Sequence, residues 1–151
     1  MVPFSITTSW EPRRPPRHFD EAGVALWSAE MRALFRFVAE FDGPLTLHFG
    51  DLAIELDLDD LRHVYDDVDE LVSTLETQGG ASELIFAAQG TSLRLALSRT
   101  GEAVTVSFQP GHTAPAQFAP LAGRTVEVDA NRFISAWLDL RDRVRSALSE
   151  R

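Results

Sequence analysis

The fold class of this chain is decided by residues 84–108, LIFAAQGTSLRLALSRTGEAVTVSF. Apolar residues alternate with polar ones three times in this stretch, which is the pattern of strands with one buried face. Two short links, 89–90 and 99–102, separate the three sets and contain glycine. Parallel strands need a crossover of a dozen residues or more, so links this short indicate antiparallel neighbours. The stretch therefore predicts a three-stranded meander that buries Leu84/Phe86/Ala88, Leu93/Leu95/Leu97 and Val104/Val106/Phe108.

Further strands are predicted on both sides of this meander. Alternation over residues 4–10 predicts a first strand, and residues 125–129 predict the last one. Between them, residues 45–49 and 52–56 form two alternating sets around Gly50-Asp51. Because that dipeptide suits a two-residue type I′ or II′ turn, the two sets predict a β-hairpin.

Helices are predicted where apolar residues recur at spacings of three and four. The first runs from about Glu21 to Phe41 after Asp20, a good N-cap, and buries Trp27. The last runs over about residues 130–148. Before it, residues 110–124 have no periodicity and predict a long loop, whose Phe118 belongs either to a contact surface or to the core.

A second amphipathic helix ends near Leu75, but its start has two readings. Asp59 could cap an early start. Alternatively, Asp67 and Glu70 could form a later capping pair, which would leave residues 58–65 extended or irregular. The two starts place the acidic residues of this segment on different faces.

The order of elements is therefore β-α-β-β-α-β-β-β-β-α. Closely spaced strands with short turns favour an α+β fold, in which three helices pack on an antiparallel or mixed sheet of about six or seven strands. No interior linker is polar or flexible enough to divide the chain, so residues 1–151 are predicted to form one domain. The absence of cysteine excludes a disulfide framework and thiolate chemistry.

The charge of the chain is concentrated in one segment. The whole sequence carries a net charge of −9, which argues against a partner held through nucleic-acid phosphates. Residues 40–76 contain twelve acids and one basic residue, Arg62, a net charge of −11, whereas the rest carries +2. A localised field of this kind attracts a basic partner and accelerates its association. The alternative is a solvated helix face with no partner.

The candidate contact residues lie within 57–70. The tyrosine among them is a candidate anchor if it faces outward. Seven acids and this tyrosine form the set, namely Asp57, Asp59, Asp60, Tyr65, Asp66, Asp67, Asp69 and Glu70.

No catalytic, metal-binding or cofactor motif is found in the sequence. The histidines form neither HxH nor HExxH, and residues 57–61 lack the central glycine of a calcium loop. His63, with Asp60 and Asp67 on one helical face, could shuttle a proton, but a solvated histidine is the simpler interpretation. No secretion signal precedes the first strand and no apolar run is long enough to cross a bilayer, so a cytoplasmic protein with no membrane contact is expected.

The acidic segment DLDDLRHVYDDVDEL (57–71), the following meander and the final FISAWLDLRDRV helix (133–144) together give a resemblance. In size, acidity and layout the chain resembles the small immunity proteins of bacterial polymorphic toxin systems. That resemblance implies a cytoplasmic, non-enzymatic inhibitor whose acidic surface masks a basic toxin or nuclease domain. Two alternatives are a secretion chaperone or adaptor for a neighbouring protein, and a small-molecule-binding domain or enzyme.

Overall fold

A computed structural model describes residues 1–88 and 90–150, and within them it has nine strands and four α-helices. The α+β class is confirmed. The strands are β1 (Phe4–Thr8), β2 (Glu11–Pro12), β3 (Phe41–Asp42), β4 (Pro44–Phe49), β5 (Leu52–Asp57), β6 (Ala81–Phe86), β7 (Leu93–Thr100), β8 (Ala103–Pro110) and β9 (Thr125–Asp129). The helices are α1 (Ala29–Glu40), α2 (Leu58–Val64), α3 (Val68–Leu75) and α4 (Ala130–Ser149).

The strands form two main antiparallel sheets, of order β1-β4-β5 and β6-β7-β8-β9, and a minor β2-β3 pair. A single parallel bridge between Val2 and Val128 connects the main sheets, and the Val2 N–H donates to the Glu127 carbonyl at 2.8 Å. This bridge brings the seven longer strands into one mixed arrangement. The predicted meander is present, with Leu95 opposite both Leu84 and Phe108.

The helices cover the apolar face of the sheets. Helix α4 packs against β1, α3 and α1, while α2 follows β5 directly and contacts β6. Phe4 lies at the junction, with its ring centroid 4.9 Å from that of Phe49 and 4.7 Å from that of Phe133. Trp137 of α4 is fully buried beside them. The position of α2 between the two sheets is what fixes the acidic segment that follows it.

The first helix is shorter than the sequence predicts. It begins at Ala29, after Ser28, whose hydroxyl accepts a hydrogen bond from the Met31 N–H at 3.2 Å. The Asp20 carboxylate instead accepts from the Gly23 N–H at 3.1 Å, which closes a local turn. The same bond to the third residue on caps helices elsewhere in this chain, but after Asp20 only a turn forms, because Gly23 disfavours a helix. The prediction that Trp27 is buried is therefore wrong, because it precedes the helix and is 44% exposed.

The second helix begins earlier than either predicted start and is interrupted. Asp57 caps α2, a 3₁₀ turn over Tyr65–Asp67 follows, and α3 continues from Val68. The predicted loop over 110–124 contains a second 3₁₀ segment, Ala116–Leu121, which buries Phe118. Of the two roles considered for Phe118, the structure supports packing in the core.

Candidate partner-binding surface

Asp57 and Asp60 form a capping box at the start of α2. The Asp57 carboxylate accepts from the Asp60 N–H at 3.2 Å, and the Asp60 carboxylate accepts from the Asp57 N–H at 3.0 Å. Each therefore satisfies a backbone donor that the helix leaves free. Partial burial and the neighbouring Asp60 charge raise the pKa of Asp57. Asp60 is only 2% exposed, so its predicted place in a contact surface is corrected to a structural one.

Asp59 binds arginines of the same chain. Its carboxylate accepts from Arg17 at 2.7 Å and from Arg13 at 3.5 Å, and Arg62 lies 3.8 Å away. The first two arginines belong to residues 13–28, here called the strap, which crosses the end of α1. Backbone bonds from Arg13 to the carbonyl of Glu40 (2.7 Å) and from Arg17 to that of Ala39 (2.8 Å) also hold the strap. Asp59 is thus part of the folded scaffold.

Tyr65 points inward, so it is not the outward-facing anchor that the sequence left open. The residue is 4% exposed, and its hydroxyl donates to Glu30 of α1 at 2.6 Å. Arg145 of α4 donates to the same carboxylate oxygen at 2.7 Å. Hydrogen bonds from Arg145 and Tyr65 lower the pKa of Glu30, while burial and the Glu30 carboxylate raise the pKa of Tyr65. This three-residue contact joins α1, α4 and the 3₁₀ turn.

Besides Asp57, which is exposed although it caps α2, four candidate acids lie at the surface. Asp69 forms an ion pair with Arg141 of α4. Asp66, Asp67 and Glu70, here called the acidic turn, are exposed, and in the described part of the chain no arginine or histidine lies within ion-pairing distance of them. Partial burial first, and then the charges of Asp66 and Glu70, raise the pKa of Asp67. The three carboxylates therefore repel one another without internal compensation.

An exposed apolar turn directly precedes α1, and the sequence analysis does not predict it. Leu26 is fully exposed and Trp27 is 44% exposed, although both are large apolar residues. The Trp27 ring packs edge-on against Phe35, with centroids 4.6 Å apart, and the Trp27 backbone N–H donates to the Val24 carbonyl at 3.0 Å. We call residues 26–27 the apolar turn. Gly23, which is unfavourable inside a helix, was the signal that the helix starts later.

A cleft of about 280 Å³ opens beneath the apolar turn. Its walls include Trp27 and Phe35, and the Arg62 guanidinium lies 5.1 Å from the Phe35 ring centroid. Arg17 and Asp59 also line the cleft, and in their ion pair each charge neutralises the other. The cleft thus offers aromatic surface beside a neutralised ion pair, and its lining also includes the Asp20 carboxylate, which accepts the Gly23 N–H.

The structure does not place His63, Asp60 and Asp67 on one helical face, as a proton relay would require. Asp60 turns inward into the capping box, and the 3₁₀ turn separates His63 from Asp67, so the three do not share one regular helix. Across residues 1–88 and 90–150, no group of three or more histidine and acidic side chains is arranged to hold a metal ion. Nor does any helix in those ranges combine the length and apolarity needed to span a bilayer.

No protein-family model, curated protein or solved structure matches this chain.

Proposed function

We propose that this chain is a non-enzymatic binding protein of the cytoplasm that inhibits a basic partner, in the manner of small acidic immunity proteins that mask a toxin or nuclease domain. The observation that carries the proposal is the acidic turn, Asp66, Asp67 and Glu70. Asp69 and Glu30 are bound by arginines of the same chain, whereas the acidic turn groups three exposed carboxylates that have no such partner in the described residues. The acidic turn is left with its full charge toward solvent.

The mutual repulsion in the acidic turn gives a physical reason for a basic partner. The raised pKa of Asp67 shows that its charged form is disfavoured by partial burial and by two neighbouring carboxylates. Lysine or arginine side chains of a partner would favour that charged form and relieve the repulsion. Exposed charges act mainly on the rate of association, so the proposal predicts fast, salt-sensitive binding.

The test is affinity capture from a lysate of the source organism at low and high salt, with bound proteins identified by mass spectrometry. The bait is the full chain, compared with its Asp66→Asn/Asp67→Asn/Glu70→Gln variant. We expect one basic protein to be retained at low salt, released at high salt and lost or strongly reduced with the variant. Inhibition of that partner's toxic or nuclease activity by the wild-type chain completes the test.

A matched control separates the acidic turn from net charge alone. The Glu102→Gln/Glu127→Gln/Asp139→Asn variant removes the same three charges from exposed positions, none of which forms an ion pair in the described residues. We expect this variant to retain the partner almost as well as wild type. Equal losses with both variants would refute the assignment to the acidic turn, and capture that resists salt would favour the adaptor alternative.

A further inference from the structure

The apolar turn is an unusual feature of the surface. Large apolar side chains are common at the surface singly, but two adjacent ones on a turn indicate a contact site more strongly. Trp27 is also held in place, because its ring packs on Phe35 and its backbone N–H donates to the Val24 carbonyl. A tryptophan that is ordered before binding loses little conformational freedom when a partner covers it. Tryptophan is among the residues that most often dominate the energy of protein interfaces.

The apolar turn and the acidic turn lie on neighbouring parts of the fold. Ser28, directly after Trp27, caps α1, and Glu30 in the first turn of that helix accepts the Tyr65 hydroxyl bond. Tyr65 in turn immediately precedes Asp66. An interface of standard size covers about 800 Å² on each partner, a patch roughly 30 Å across. One partner can therefore cover both turns.

We infer that Leu26 and Trp27 form the apolar anchor of the same interface whose charged rim is the acidic turn. This inference rests on the proposed function and specifies the partner further. The partner presents an apolar pocket beside lysine or arginine side chains, so that the pocket receives Trp27 while the cations face Asp66, Asp67 and Glu70. Interfaces commonly combine an aromatic core with a polar rim in this way.

The two turns are expected to affect different rate constants of binding, and both rate constants can be measured. The charged rim acts on association, because its field acts over a distance, whereas the anchor acts on dissociation, because its contacts form only in the complex. Truncation of a dominant tryptophan contact corresponds to a change of about 30-fold in affinity. We therefore expect Trp27→Ser to increase the dissociation rate about 30-fold and to leave the association rate nearly unchanged.

The experiment uses a photo-crosslinking amino acid, p-benzoylphenylalanine, placed singly at positions 26, 67 and 85 of the full chain in cells of the source organism. Position 85 is the control, since Ile85 is an exposed apolar residue on β6, outside both turns. We expect one basic protein to be crosslinked from positions 26 and 67 and not from 85. The captured protein is then purified for kinetics with Trp27→Ser and with Ile85→Ser as the matched control.

The possible outcomes distinguish this inference from the proposed function. A basic protein crosslinked from position 67 but not from 26, with unchanged dissociation for Trp27→Ser, would overturn the anchor and leave the proposed function standing. No crosslink from position 67 would overturn both. Equal effects of Trp27→Ser and Ile85→Ser on dissociation would also overturn the anchor.

Discussion

The Asp59→Asn substitution should loosen the strap that carries the apolar turn. In the wild-type chain the Asp59 carboxylate contacts Arg17 at 2.7 Å and Arg13 at 3.5 Å. The amide cannot balance their charges, and the Arg13 side chain, which is only 10% exposed, then faces a single carboxylate, Asp42, at 3.5 Å. The change therefore acts on an ion-pair network rather than on one surface contact.

The expected loss in the free energy of unfolding follows from how exposed each arginine is. Arg17 is half exposed, so its ion pair contributes at most about 1 kcal/mol. Arg13 is mostly buried, and weakening the compensation of a buried charged group costs about 1–3 kcal/mol, moderated by its bond to the Val38 carbonyl at 2.9 Å. We expect a loss of about 2 kcal/mol in the free energy of unfolding, which lowers Tm by about 4–8 °C for a domain of this size.

Two assays check this expectation. Urea denaturation gives the change in unfolding free energy, and limited trypsin digestion reports the strap itself, because trypsin cleaves after Arg13 and Arg17. Where opening is fast relative to cleavage, a cost of about 2 kcal/mol corresponds to about 30-fold faster cleavage. Asp66→Asn is the control, since Asp66 is exposed and outside the ion pairs described above, and it should change stability by less than about 0.5 kcal/mol. Unchanged cleavage and an unchanged urea midpoint in Asp59→Asn would refute the role of this network.

Three further predictions concern pH, packing and backbone approach. Because the pKa of Asp67 is raised in the folded chain, its charged form destabilises the fold at pH values above that pKa. Protonation of Asp67 at lower pH removes this destabilisation. Asp67→Asn should therefore raise Tm relative to wild type at pH 7, with a smaller gain near pH 4 in circular-dichroism melts, and an equal gain at both pH values would contradict the argument. Phe118→Ala should cost about 3–5 kcal/mol in urea denaturation, because the ring is buried, and a loss below about 1 kcal/mol would show that the 110–124 segment does not fill the core. Gly43→Ala should cost about 1–3 kcal/mol by the same assay, because its Cβ would lie 1.8 Å from the Ser9 carbonyl oxygen, and an unchanged midpoint would contradict that close approach.

The strands could be predicted because their signals are local. Alternation with period two and short glycine-containing links specify the β6-β7-β8 meander without knowledge of distant residues. The start of α1 has a weaker local signal, because Asp20 and Ser28 are both good caps by residue type and only Gly23 disfavours the earlier start. The choice depends on the Asp20 turn with Gly23 and on the packing of Trp27 against Phe35. One wrong helix start accounts for the wrong burial of Trp27.

The candidate site was harder to predict than the fold because its ion pairs join distant parts of the chain. Asp59 pairs with Arg17, 42 residues away, and Asp69 with Arg141, 72 residues away. A count of charges along the sequence therefore places at a contact surface several acids that the folded chain binds through its own arginines. The inward direction of Tyr65 depends on Glu30 in α1, which no pattern within residues 57–70 reveals.

This internal use of charge changes which experiments can identify a binding surface. Reversing all the acids of 57–70 together would remove a helix cap and the ion pairs of Asp59 and Asp69, so lost binding would follow from lost folding. Substitutions confined to the acidic turn leave those contacts in place. Specific recognition also needs more than a total charge, since any basic protein is attracted to a chain of charge −9. The apolar turn beside the acidic turn would supply that discrimination, because only a partner with a pocket for Trp27 gains from both.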